Sequence, residues 1–167
     1  MKIEMTTVPA HHILSIRDTV PLDSIPTFLK PSYECIEALV SKAGIKEEAC
    51  RAYTYSMSPD EIDIAAAYVI AEDDLDVIRA AVEEANNNDS NGAFGGLELI
   101  EFDERNAAMT VHHGSYNKLA DSWSAFAQEL ATEGIKVSEP TFEDYVDRGD
   151  GSSTAEAVTN LYWYLSH

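Results

Sequence analysis

The chain has 167 residues, 45% hydrophobic and 25% charged, enough for one core-bearing domain or two small packed repeats and unlike a disordered or fibrous composition. Lys and Arg total 11 against 30 Asp and Glu, a formal charge of −19, which is the wrong sign for gripping phosphates or anionic lipid, so no direct nucleic-acid or membrane partner is expected. The acid is not a tail: residues 1–90 hold 17 acidic and 7 basic residues and residues 91–167 hold 13 and 4, net −10 and −9.

Two cysteines, Cys35 and Cys50, without C-x-x-C spacing read as buried free thiols rather than a disulfide framework or zinc site. No basic-then-apolar leader opens the sequence and no apolar run approaches the ~18 residues of a membrane span. A cytoplasmic protein is the expectation.

In chain order, KIEMTTV and HHILSIRDTV alternate as two strands turned at Pro9-Ala10. Ile36, Leu39, Val40 and Ala43 then recur at helical spacing, with Pro31 expected in the helix's first turn and Gly44 as its stop. ACRAYTYSM and EIDIAAAYVI flank Ser58, Pro59 and Asp60, the chemistry of a hairpin. Residues 72–86 place Leu75, Ile78 and Val82 on one helical face, with acids at the N-terminal end where the dipole favours them. NNNDSNG follows as a loop.

The second half repeats the order. GLELIEF and NAAMTVHH read as strands, and Tyr116, Leu119, Ala120, Trp123, Phe126, Ala127 and Leu130 mark a helix ending before Gly134. EPTFEDYVD and AVTNLYWYL read as strands around RGDGSS. Gly44-Ile45 and Gly134-Ile135 stand 90 residues apart, and that offset sets Tyr53 on Glu143 and Tyr55 on Tyr145; allowing for loop length, Tyr68 falls on Tyr162. The chain reads as one domain of two repeats, about 1–71 and 93–167, joined by a helical connector over 72–92.

Two such units would cover one sheet face with helices and leave the other to form a cleft at a pseudo-two-fold junction. Strand parity puts Glu143 and Tyr145 on one face and Phe142, Asp144 and Val146 on the other. A groove of Tyr53, Tyr55 and Tyr145 around Glu143 follows, in which a carboxylate meets a ligand cation and the rings add about 0.5–2 kcal/mol of cation–π attraction. The same carboxylate has the chemistry of a general base. Against this stands the ordinary reading of each residue, a solvated strand glutamate and common strand-forming tyrosines.

HHGSYNKLADSW and EPTFEDYVDRGD, with the duplicated layout, give the chain its resemblance to the GyrI-like small-molecule-binding domain, also the effector-binding half of MerR-type and AraC-type multidrug regulators. The resemblance implies an α+β fold of two SHS2-like βαββ modules with antiparallel sheets, a ligand groove between them and a groove glutamate at Glu143. It implies binding of lipophilic cations and aromatic compounds. In a subset of stand-alone relatives it implies hydrolysis of cyclopropane-bearing genotoxic compounds with the same glutamate activating water, and in another member an inhibitor of DNA gyrase. Two departures stand out: Asn160 occupies the place of a further family glutamate, and Glu143-Asp144-Tyr145-Val146 only partly matches the hydrolases' Glu-Ile-Tyr-Leu.

Adjacent strand histidines point to opposite faces, so neither His11-His12 nor His112-His113 chelates as a pair, and no metal is expected. G-x-S-x-G and phosphate-loop motifs are absent. Trp123 has the phase of a core residue, and Trp163 has the parity opposite to Tyr162. The expected protein binds an aromatic or cationic small molecule through Glu143, Tyr145, Tyr53, Tyr55, Tyr68 and Tyr162, without a cofactor. The alternatives are the Glu143-dependent hydrolase and an acidic surface that docks on a basic protein.

Overall fold

In the computed structural model, which describes residues 2–88, 96–147 and 157–166, strands and helices alternate as the hydrophobic periods demand. The strands are β1 (Glu4–Val8), β2 (His11–Pro21), β3 (Ala49–Met57), β4 (Glu61–Ile70), β5 (Glu98–Phe102), β6 (Arg105–His113), β7 (Val137–Asp147) and β8 (Val158–Leu165). The helices are α1 (Ile25–Lys42), α2 (Leu75–Asn88) and α3 (Leu119–Thr132), each entered through a short 3₁₀ turn. The architecture is α+β with antiparallel sheets. The NNNDSNG and RGDGSS loops lie largely or wholly outside the described residues.

The chain divides into two units, a central one, Ala10–Asp103, and a terminal one combining Met1–Pro9 with Glu104–His167. In the central unit the strand order is β3-β4-β2-β5, all antiparallel. In the terminal unit it is β1-β6-β8-β7, again antiparallel. The first strand of each half therefore pairs in the sheet of the other: β1 lies against β6 and β5 against β2.

α1 begins six residues before Pro31, so the proline lies inside the helix rather than in its first turn. An interior proline costs about 3 kcal/mol through its missing N–H and its ring. Phe28, Ser32, Ile36 and Val40, spaced four apart, are all buried, and burial at about 1.5–3 kcal/mol per large apolar side chain outweighs that cost. Pro26 takes the early position that proline favours. In α2 the predicted apolar face is the buried one: Ile78 and Val82 are covered, and Asn86 bonds both the N–H and the C=O of Leu97 at the entrance to β5.

In the terminal unit Phe126 and Leu130 of α3 pack on Ala108 of β6 and Leu161 of β8, with Leu119, Trp123, Trp163, Val137 and Leu165 around them. β7 meets β8 with an offset of two residues between Ser138 and Thr141, where Pro140, which has no N–H to donate, interrupts the ladder. Cys50 is buried and Cys35 exposed, so the expectation of two buried thiols holds for only one. Cys35 occupies the outer side of α1, between buried Ser32 and Ile36 in the sequence.

Gly44 and Gly134 close α1 and α3 in the same way. Both have positive φ, 75° and 71°. Ile45 N–H reaches Val40 C=O and Gly44 N–H reaches Ser41 C=O, while Ile135 reaches Leu130 and Gly134 reaches Ala131, the double bond of a Schellman end. Any Cβ here pays about 1–2 kcal/mol for the left-handed backbone. Gly44→Ala and Gly134→Ala are each expected to lower the unfolding free energy by about 1–2 kcal/mol, read from urea midpoints at unchanged m-value; an unchanged midpoint would show that the caps are dispensable.

Candidate functional site

Glu143 stands near the middle of β7 directly opposite Leu161 of β8. Because Leu161 belongs to the core under α3, Glu143 shares the helix-covered face, and side chains two apart on β7 share it too. This differs from the expectation that Glu143 would occupy the sheet face free of helices. Parity joins Glu143 to Tyr145, as the structure has it, but it does not say which of two faces a helix covers.

The half-buried carboxylate has two neutral donors. Trp123 of α3 donates its indole N–H to Oε2 at 2.7 Å, and Tyr145 donates its phenol O–H to Oε1 at 2.7 Å. Tyr116, 44% exposed, stands edge-on to Tyr145 with centroids 5.7 Å apart, and Trp163 stands edge-on to Trp123 at 6.1 Å. Trp123 also tilts against Phe126. Among the described residues Glu143 forms no ion pair within 4.0 Å. A half-buried acid is thus held by Trp123 and Tyr145, which are themselves flanked by Trp163 and Tyr116, and among the described residues no cation pairs with it. Trp123 has the core phase expected of it, and its indole N–H is nevertheless a partner of the acid. The i, i+3 and i+4 spacing of Leu119, Trp123 and Phe126 was readable in the sequence; where the N–H would land was not.

The other candidates divide between the two units. Tyr162 faces away from Leu161 and stacks on Phe142 at 4.5 Å, so the structure does not bring it to Glu143. Asn160 pairs with Asp144 and shares that opposite face. Tyr53, Tyr55 and Tyr68 belong to the central unit. Tyr68 sits on the α1 side, donating its phenol to Glu37 and meeting Tyr33 edge-on. Tyr53, fully buried on the other face, accepts from Arg51 Nη1 at 2.9 Å, lies 3.0 Å from His11 Nε2 and stacks on Phe102. Tyr55 stacks on Tyr53 and has the Arg17 guanidinium 3.8 Å above its ring, with Arg17 paired to Asp63 through two bonds of 2.9 and 2.7 Å. Tyr53 and Tyr55 thus face away from α1 whereas Glu143 and Tyr145 face α3, so the 90-residue offset does not preserve the side of the sheet.

The histidines separate as strand parity requires. His12 pairs with Glu101 at 3.1 Å, and His112 is held by Ser122 and Ser115. Among the described residues no three His, Cys, Asp or Glu side chains gather as a metal site, and no helix is long and apolar enough to cross a membrane.

These features define an α+β protein with an acid set among aromatic side chains. The family is then plain: the model of the GyrI-like small molecule binding domain matches residues 1–166, and the chain belongs to that family. No curated protein matches it. Among solved structures it resembles the EcmrR C-terminal domain, at 18% identity, TM-score 0.70, covering 99% of this chain and 97% of that one. It also resembles a hydrolase from Listeria innocua, at 15% identity, TM-score 0.67, covering 99% and 92%. SAV2435 bound to tetraphenylphosphonium is similar as well, at 12% identity, TM-score 0.65, covering 99% and 94%.

Burial pushes the Tyr55 phenol above its ordinary value of 10.0; Arg17 opposes this, and Asp63 and Glu98 add to it. The folded chain therefore holds this proton more tightly than the unfolded one. The resulting stability is complete below the unfolded value and is lost as pH rises through the folded one. Urea midpoints above about pH 10 should fall more steeply with pH for the wild type than for Tyr55→Phe; parallel slopes would contradict the shift.

Proposed function

We propose that this protein binds lipophilic, aromatic cations at Glu143, with Trp123 and Tyr145 orienting the carboxylate and Tyr116 and Trp163 supplying ring surface. The observation that carries the reading is that both carboxylate oxygens are engaged by neutral donors and that, among the described residues, no cation pairs with them. Neutral donors fix the direction of the group without cancelling its charge. A ligand cation then supplies the missing countercharge, and aromatic faces around it add about 0.5–2 kcal/mol. Membership of a small-molecule-binding family supports this class of function. Tetraphenylphosphonium, the ligand of the similar SAV2435, is the natural first probe.

Calorimetric titration of the wild type and Glu143→Gln tests the charge. Gln keeps the size and one carbonyl acceptor but removes the charge. Tetraphenylphosphonium should bind the variant at least about tenfold more weakly, equivalent to about 1.4 kcal/mol. Neutral triphenylphosphine oxide should change by less than about threefold, well under that same increment. Equal losses for both ligands, or no binding of the cation by the wild type, would overturn the reading.

One observation favours a second reading as well. Each Glu143 oxygen uses one acceptor position on a protein donor, so further lone pairs remain to receive a proton from water. In that role Glu143 activates water against a strained ring in a cyclopropane-bearing alkylating agent. Mass spectrometry should then detect addition of one water with the wild type and none with Glu143→Gln. An unchanged reagent in both reactions removes this reading for that substrate.

A further inference from the structure

We propose that Ser122 and His112 form a nucleophile and base pair able to cleave small esters, separate from the chemistry assigned to Glu143. His112 lies near the end of β6, only 6% exposed, with both ring nitrogens engaged. Its Nε2 is 2.9 Å from the carbonyl oxygen of Ser115 and its Nδ1 is 2.6 Å from Ser122 Oγ. A carbonyl oxygen only accepts, so Nε2 carries a proton. In the neutral ring Nδ1 is then a lone pair, and the Ser122 hydroxyl donates to it. This is the order of a nucleophile, a base and a group that orients the base. It differs from the Ser-His-Asp arrangement in using the opposite ring nitrogens and in replacing the carboxylate with a backbone carbonyl.

Three further features fit the role. Ser122 is half-buried rather than enclosed, and it lies in the first turn of α3, where the helix dipole favours negative charge developing on an oxygen. Thr159, opposite His112 on β8, is fully buried, and its hydroxyl has no hydrogen-bond partner among the described residues. Unsatisfied buried groups in native structures call for an explanation, and a catalytic role is one. Thr159 is in turn opposite Tyr145 on β7, so His112, Thr159 and Tyr145 form a row in which two strand spacings, about 10 Å, separate the base from the tyrosine.

The steps balance with water as the only co-reactant. Ser122 Oγ bonds to the ester carbonyl carbon while its proton passes to His112 Nδ1. The bond from that carbon to the alcohol oxygen breaks, and His112 returns the proton to the departing oxygen, leaving an acyl group on Ser122. Water then gives a proton to Nδ1 and bonds to the acyl carbon. The Ser122 oxygen leaves and recovers the proton, releasing the carboxylic acid. Nothing is oxidised or reduced.

The test is reaction of the full chain with diisopropyl fluorophosphate, followed by intact-mass and peptide mass spectrometry, with release of nitrophenol from p-nitrophenyl acetate read in parallel. The wild type should acquire one phosphoryl group at Ser122 and show ester turnover. Ser122→Ala should lose both, and His112→Asn should be labelled at least about 100-fold more slowly, as loss of a general base requires. A hydroxyl and imidazole that only tie α3 to β6 would hold the fold together without reacting. No adduct at Ser122 in the wild type, or labelling of His112→Asn at the wild-type rate, would overturn the proposal. If circular dichroism shows that His112→Asn does not fold, the wild-type adduct and turnover decide the matter. Neither probe carries a cation, so a negative result here leaves the reading of Glu143 standing.

Discussion

A carboxylate drawn under a helix must find donors or lose more in desolvation than its neighbours return. Glu143 finds two, and the terminal unit is arranged around them. Trp123 supplies one only because α3 packs over β6 and β8 with that residue on its inner side, toward β7. Tyr145 supplies the other because alternate residues of a strand share a face. The two-residue offset at Glu139 and Pro140 completes the placement: without it Glu143 would stand opposite Thr159 instead of Leu161, about 7 Å further along the strand.

The same requirement explains how polar and apolar groups coexist beneath α3. Phe126 and Leu130 are buried against Ala108 and Leu161 and hold the helix to the sheet. Around this apolar centre the polar groups are paired at the helix's first turn: the indole of Trp123 with Glu143, and the hydroxyl of Ser122 with His112. Adjacent positions on a helix diverge by about 100°, so Ser122 and Trp123 serve strands on either side of β8. The first turn of α3 is thus a polar junction, whereas its last two turns are an apolar anchor.

The central unit handles its tyrosines differently. Tyr53 is enclosed by Arg51, His11 and Phe102, and Tyr55 lies beneath Arg17, itself paired with Asp63. At Tyr55 the chain supplies its own cation to the ring, as Arg105 does over Tyr164 in the terminal unit. At Glu143 it supplies an anion and neutral donors. That difference, more than the number of tyrosines, is what supports the proposal of an external cation at Glu143.

Much of this was legible in the sequence. The periods of two and 3.6 residues identify the strands and helices, Gly44 and Gly134 mark two helix ends, and parity joins Glu143 to Tyr145 and parts Tyr162 from Trp163. These properties are local, fixed by backbone geometry within a few residues. The passage of α1 through Pro31, the pairing of β1 with β6 and β5 with β2, the face covered by α3 and the landing of Trp123 on Glu143 depend on residues up to about a hundred positions away. Only packing decides such matters, because a strand's alternation is symmetric between its two faces until another element covers one of them.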